Sequence, residues 1–211
     1  MVRLFVYMLL WMALTTRMVC AYENVCDVAA TQISDQSGVP LAVLLAVARV
    51  ETGRNRDGEL TPWPWTANVA GKGYWFGTRK QAETFILKTK LSGLRSFDVG
   101  CFQLNYHWHG RAFASLSDML DPKKNASYAA GFLNDLYQEF GSWELAVGAY
   151  HSRTEKYAER YKTRFRRMLA GVLQADLTSK LAVATSIRSS KGSLTPLSNR
   201  VASAQSSSLW R

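Results

Sequence analysis

The chain has 211 residues, 47% hydrophobic and 20% charged, which is the composition of an ordinary globular protein and excludes a wholly disordered or fibrous one. Its formal charge of +10 suits an acidic partner such as nucleic acid, an anionic membrane surface or an anionic cell wall, without choosing among them.

Met1-Val2-Arg3 leads into the apolar stretch Leu4 to Leu14, too short for a membrane span and built like a secretory signal, with cleavage expected after Ala21. An uncleaved anchor and a lipidated Cys20 are the alternatives. The expected organisation is a signal over 1–21, one folded domain over 22–173 and a low-complexity, disordered tail over 174–211. Export leaves Cys26 and Cys101 as an even pair in a compartment where disulfides persist, so a bridge is expected, with two buried thiols as the alternative.

Apolar residues at helical spacing (Val25, Cys26, Ala29, Ala30, Ile33) predict a first helix over about 23–36, broken at Ser37-Gly38. Leu41 to Val50 is apolar on nearly every side and predicts a buried helix, with Pro40 preset for its first turn and Gly53 able to end it. Trp65 to Phe76 predicts a short hairpin turning at Gly71-Lys72-Gly73, the only expected strand region. Thr78 caps a helix to about Leu91, and a loop follows over Arg95 to Gly110. Further helices are expected over about 112–119, 125–140, 143–151 and 154–173.

Glu51 ends the apolar helix. Partial desolvation and the negative end of the helix dipole both disfavour its charged form, raising its pKa toward the range of a general acid. The plainer reading is a partly exposed Glu closing a core helix.

Three stretches, Val50-Glu51-Thr52-Gly53, Val99-Gly100-Cys101-Phe102-Gln103-Leu104-Asn105 and Gly148-Ala149-Tyr150-His151, resemble in order and separation the lysozyme-like domain of soluble lytic transglycosylases. That family reads Glu-Ser, Gly-Leu-Met-Gln-Ile and Ala-Tyr-Asn at the matching places. Leu120-Asp121-Pro122 with Asn125 resembles the link between its second and third motifs. The resemblance covers roughly Val25 to Phe165 and implies a mainly α fold with a small β insertion, as in the secreted Gram-negative type. Thr52 for Ser, Cys101-Phe102 for Leu-Met and His151 for Asn are departures; none removes the acid.

The resemblance implies an enzyme without cofactor or metal that cleaves the β-1,4 bond between N-acetylmuramic acid and N-acetylglucosamine in peptidoglycan, leaving a 1,6-anhydro ring. Glu51 is then the catalytic acid and base, the Tyr150 hydroxyl orients it, and Gln103 hydrogen-bonds the substrate. Thr52, Asn105 and His151 fall at further substrate positions. Trp63 and Trp65, kept in a loop by prolines, are candidates for stacking on sugar rings, although aromatic residues commonly belong to the core. Asp98 is the candidate second carboxylate, with a turn-capping role as its plainer reading.

The implied partner is the glycan strand and the implied location the periplasm. The protein is expected to act as a monomer without nucleic acid, with the tail able to dock on a flagellar or secretion apparatus. The rivals are a hydrolytic lysozyme and a non-catalytic wall-binding assembly protein. His107-Trp108-His109 with His151 is a weak zinc pattern, and the basic helix after Thr154 a weak nucleic-acid or membrane pattern.

Overall fold

A computed structural model describes residues 24–56 and 58–190, with side chains through residue 186; the expected signal over 1–21 lies outside these residues. The first helix, α1 (Val25–Ser37), starts where Asn24 Oδ1 accepts from the Cys26 amide at 2.9 Å and stops where Gly38 turns left-handed at φ 75°. It buries Cys26, Ala29, Ala30 and Ile33 of the stripe read from the sequence, whereas Val25 at its start is exposed. The following α2 (Leu41–Thr52) buries Val43, Leu44, Ala46, Val47 and Ala48 and is a core element, so Glu51 stands at the end of a helix nearly sealed from water.

Two antiparallel hairpins follow. The first pairs β1 (Arg54–Arg56) with β2 (Glu59–Thr61). The second pairs β3 (Thr66–Val69) with β4 (Lys72–Trp75) through Ala70-Gly71, both at positive φ (53° and 79°). Two such residues match the right-handed twist of the strands. The turn thus falls one residue before the expected Gly71-Lys72-Gly73.

The β structure also extends beyond the expected hairpin. Strand β5 (Phe97–Val99) pairs with β3, and β6 (Leu104–Asn105) pairs with β5, giving a four-stranded sheet of order β4-β3-β5-β6. Strands of two and three residues carry too little alternation to be read locally; their hydrogen-bond partners across the sheet define them.

Between β4 and β5 lies α3 (Arg79–Leu91), opened by a capping box in which Thr78 and Gln81 satisfy each other's backbone amides. After β6 come the short α4 (Tyr106–His109), a 3-10 turn (Gly110–Ala112) and α5 (Leu116–Leu120), in place of the single helix expected over 112–119. The long α6 (Pro122–Phe140) has Asp121 as its cap, Pro122 in its first turn and Gly141 at its end, and it packs on α1 and on α7 (Trp143–His151). A disulfide between Cys26 and Cys101 fastens α1 to the segment joining β5 and β6.

The last helix, α8, runs Glu155–Ser190. Of the described residues, those through Ala170 form one compact unit and those from Gly171 a second. The expected disordered tail spans 174–211: its described part, through Ser190, is helical, and 191–211 lie outside the described residues. The stretch Leu173 to Ser190 contains no proline or glycine, and Leu173, Leu177 and Leu181 recur at helical spacing, so intrinsic propensity carries the helix on. These leucines are exposed, as is Val183. No helix among the described residues is long and apolar enough to cross a membrane.

Candidate active site

The β5–β6 connection is shaped by one buried amide. Asn125, fully buried on α6, accepts from the Phe102 amide (2.9 Å) and donates to the carbonyls of Met119 (2.9 Å) and Val99 (3.2 Å). Gly100 passes so close that an added Cβ would lie 2.7 Å from Asn125 Nδ2, and its φ of 80° independently requires glycine. The turn ends on Gln103 at φ 45°, a conformation rarely adopted by a residue with a side chain. Gln103 Nε2 donates to Thr66 Oγ1 (2.9 Å) and to the Gly100 carbonyl (3.0 Å), which holds the amide at the cleft wall.

This wall faces the end of α2 across a cleft of about 440 Å3. Val50 and Glu51 line one side, with Asn68, Asp98, Gln103, Leu104 and Asn105 from the sheet and its turn. Trp108 and His109 of α4, Phe132 of α6, Tyr150 and His151 of α7, and Arg164 of α8 complete it. Of the expected site residues, the fold therefore brings Glu51, Gln103, Asn105, Tyr150 and His151 to one cavity.

Desolvation pushes the Glu51 carboxyl from 4.5 up to about 7, and the nearby Asp98 charge adds to the shift. Opposing this are a hydrogen bond from Tyr161 and the Arg164 charge. The Tyr161 hydroxyl donates to Glu51 Oε1 at 2.6 Å, and its ring, 1% exposed, stacks on His151 at 4.6 Å.

This corrects the role assigned to Tyr150. Its hydroxyl donates instead to the Phe102 carbonyl at 2.8 Å, so it braces the turn that ends on Gln103. Burial, with the charges of Glu51 and Asp98, keeps the Tyr150 phenol well above the usual range and neutral. The signal for Tyr161 was present in the spacing of Tyr157, Tyr161 and Phe165, but periodicity identifies a buried face without saying that a carboxyl faces it.

Three expected substrate contacts lie elsewhere. Thr52 is 2% exposed; its hydroxyl sits 3.0 Å from the Ala48 carbonyl and 3.2 Å from that of Cys101, and it accepts from the Trp63 amide. That hydroxyl joins α2 to the β5–β6 turn instead of meeting substrate. Trp63 donates its indole N–H to the Phe76 carbonyl at 2.8 Å, with the guanidinium groups of Arg54 and Arg56 over its ring at 5.2 and 5.3 Å. Trp65 packs against the core. These partly buried indoles find their contacts within the protein, Trp63 a hydrogen-bond acceptor and Trp65 the apolar core. The exposed aromatic in the cleft is Trp108, 75% exposed, which the sequence offered only between two histidines.

Asp98 is likewise no exposed turn residue: it stands on β5 in the cleft, accepts from Asn105 Nδ2 at 2.7 Å, and is shifted upward by burial. Asn105 also caps α4, its Oδ1 accepting from the His107 amide at 3.0 Å. His109 Nδ1 lies 3.0 Å from the Tyr128 hydroxyl. No group of three or more His, Cys, Asp or Glu among the described residues is placed to hold a metal ion.

Residues 78–167 match the family model described as Transglycosylase SLT domain. No curated protein and no solved structure matches the chain. The matched stretch contains the Gly100 to Gln103 turn, Tyr150 and Tyr161, and it begins downstream of Glu51, which reaches these residues only through the fold. Residues 78–167 are thus similar to a transglycosylase SLT domain, which supports a lytic transglycosylase-like, peptidoglycan-acting function on a mainly α, lysozyme-like fold.

Proposed function

We propose that this protein is a peptidoglycan lytic transglycosylase that cleaves the β-1,4 bond between N-acetylmuramic acid and N-acetylglucosamine, with Glu51 serving as acid and then as base. The observation that carries this reading is the hydrogen-bonded pair of Glu51 and Tyr161 in the cleft, with the carboxyl raised to about 7 by desolvation. At neutral pH such a carboxyl is divided between its two forms, which suits one group to both proton transfers.

Protonated Glu51 gives its proton to the glycosidic oxygen as the bond to the muramoyl C1 breaks, and the N-acetylglucosamine side leaves as an alcohol. The carboxylate is then supported by the Tyr161 hydroxyl and the Arg164 charge. It removes the proton of the muramoyl C6 hydroxyl, whose oxygen bonds to C1 and closes the 1,6-anhydro ring. No water is consumed and Glu51 ends protonated. Gln103 and Asn105 offer polar groups at the cleft wall, and the exposed Trp108 face suits a sugar ring.

One observation favours a second reading. Asp98 lines the same cavity, and two carboxyls flanking a glycosidic bond are what a hydrolase uses. The bond from Asn105 occupies one of its oxygens, which leaves Asp98 less free to act as a nucleophile.

The products decide between them. Purified peptidoglycan digested in 18O-labelled water and analysed by mass spectrometry is expected to give anhydromuropeptides free of label. Labelled reducing ends would establish a lysozyme, and an absence of products would establish the non-catalytic wall-binding alternative.

The proposal also places the protein in the periplasm as a monomer, opening the wall for a flagellar or secretion apparatus. The signal-like first residues, the charge of +10 and the exposed leucines of Gly171–Ser190 support it.

A further inference from the structure

The four-stranded sheet has two edges, and the cleft uses one of them. Strand β6 carries Leu104 and Asn105 into the cavity of Glu51, whereas no residue of β4, the opposite edge, lines it. Val69 and Lys72 flank the two-residue turn and exchange both backbone hydrogen bonds, so alternation next pairs Ala67 with Tyr74 in the same way. The Phe76 amide then donates to the Trp65 carbonyl at 2.8 Å, in step with that alternation. Between these bonded positions, Gly73 and Trp75 aim their N–H and C=O groups away from β3, along an open edge.

Beside this edge lies a groove of about 680 Å3, apolar at Trp75, Phe76 and Phe85 and cationic at Lys80 and Lys88 of α3. The Trp75 ring lies back over Gly73, where an added Cβ would come within 2.7 Å of it, and the indole stays 48% exposed. Leu87 and Leu91, both exposed, continue the apolar surface along α3. No carboxylate lines the groove, and Glu83 of the same helix is engaged by Arg79 and Ser117. Among the described residues, neither Lys80 nor Lys88 has an ion-pair partner. The Arg54 guanidinium adds a third cation, 5.7 Å from the centre of the Trp75 ring.

We propose that this edge is a docking site for an extended acidic segment of a partner protein, which adds to β4 as a fifth strand. Such a segment satisfies the outward backbone groups of Gly73 and Trp75, and its alternate side chains give affinity and specificity. Apolar side chains fall on the Trp75, Phe76 and Phe85 surface, and carboxylates reach the lysines. The charge of the groove selects an acidic strand and rejects a basic one. Exposed edges are commonly blunted by charge, proline or a bulge. Here Lys72 is the single charge within the strand, and an exposed indole follows it. The groove shares no lining residue with the cleft, so a docked partner leaves the cavity of Glu51 open.

The test is amide hydrogen exchange, read by NMR, on the protein with a blocked peptide of alternating glutamate and valine. The amides of Gly73 and Trp75 are expected to slow on adding the peptide, while those of Lys72 and Tyr74, already bonded to β3, change little. The same peptide N-methylated at alternate residues, and a lysine–valine peptide, should protect neither. The double variant Lys80→Glu, Lys88→Glu should bind the acidic peptide about tenfold more weakly with an unchanged melting temperature. Unprotected Gly73 and Trp75 amides overturn the docking site, and equal protection by the N-methylated peptide overturns strand addition. Affinity unchanged in the double variant overturns the acidic occupant. If N-acetylglucosamine oligomers shift the Trp75 indole resonance where the peptide does not, the patch is a sugar platform and the proposal fails.

Discussion

The two walls of the cleft make different contributions from different kinds of chain. One is the end of α2, where Glu51 follows a run of apolar residues; its chemistry comes from removing water. The other is the turn joining β5 and β6, where Asp98, Gln103 and Asn105 are held by hydrogen bonds from side chains and backbone. Burial raises both carboxyls, but Asp98 has an amide donor on its oxygen, whereas Glu51 faces a tyrosine whose bond only partly offsets its desolvation. The contrast teaches that an acid is set by its surroundings more than by its residue type.

Glu51→Gln removes the proton from the apolar wall and tests the contrast most severely. Peptidoglycan cleavage is expected to fall by about a thousandfold or more with the fold intact, within the usual range for a general acid. A second readout is stability. Because the folded value of Glu51 is raised from 4.5 to about 7, its contribution to stability is full below pH 4.5 and is lost as pH rises to about 7, by roughly 3 kcal/mol. The variant should not show that loss, so denaturation midpoints at low and high pH should converge for the variant relative to the wild type. A folded variant that keeps substantial activity would remove Glu51 from the chemistry.

Tyr161→Phe should have the next largest effect. The Tyr161 hydrogen bond lowers the Glu51 pKa, so its loss should move the alkaline limb of kcat/KM, expected near pH 7 in the wild type, to higher pH. The rate should fall about tenfold, as one charge-assisted hydrogen bond to the carboxylate is lost. Tyr150→Phe, which releases the Phe102 carbonyl, should lower activity with much less movement of that limb. Equal movement in both would return Tyr150 to the role first expected of it.

Asp98→Asn should be the mildest. Removing its charge relieves the Glu51 carboxylate, so the alkaline limb should move to lower pH with the rate at acid pH little changed. A loss comparable to that of Glu51→Gln would make the two walls equal partners and point to hydrolysis.

Much of this site was legible in the chain. Glu51 stood out because ten residues of helix before it carry no acid, and the helix around it follows from Pro40, the apolar run and Gly53. The long helices followed from periodicity, and Thr78 marked the start of α3; α6 starts at Pro122 after its Asp121 cap, three residues before the expected start at Asn125. The misreadings share a cause. Thr52, Trp63 and Trp65 sit beside catalytic motifs in sequence, and nearness in sequence says nothing about which way a side chain points.

The sequence by itself determined the motifs that carry the family resemblance, the apolar helix that carries the acid and the helical frame, because these depend on residue identity and short-range spacing. The tertiary structure decided which tyrosine holds Glu51, that Asn125 and the Cys26–Cys101 bridge fix the Gln103 turn, and that Trp108 and Arg164 share the cavity. The bond between Tyr161 and Glu51 joins residues 110 positions apart. Desolvation and hydrogen bonding at such a distance are properties of the packed core, and no local pattern encodes them.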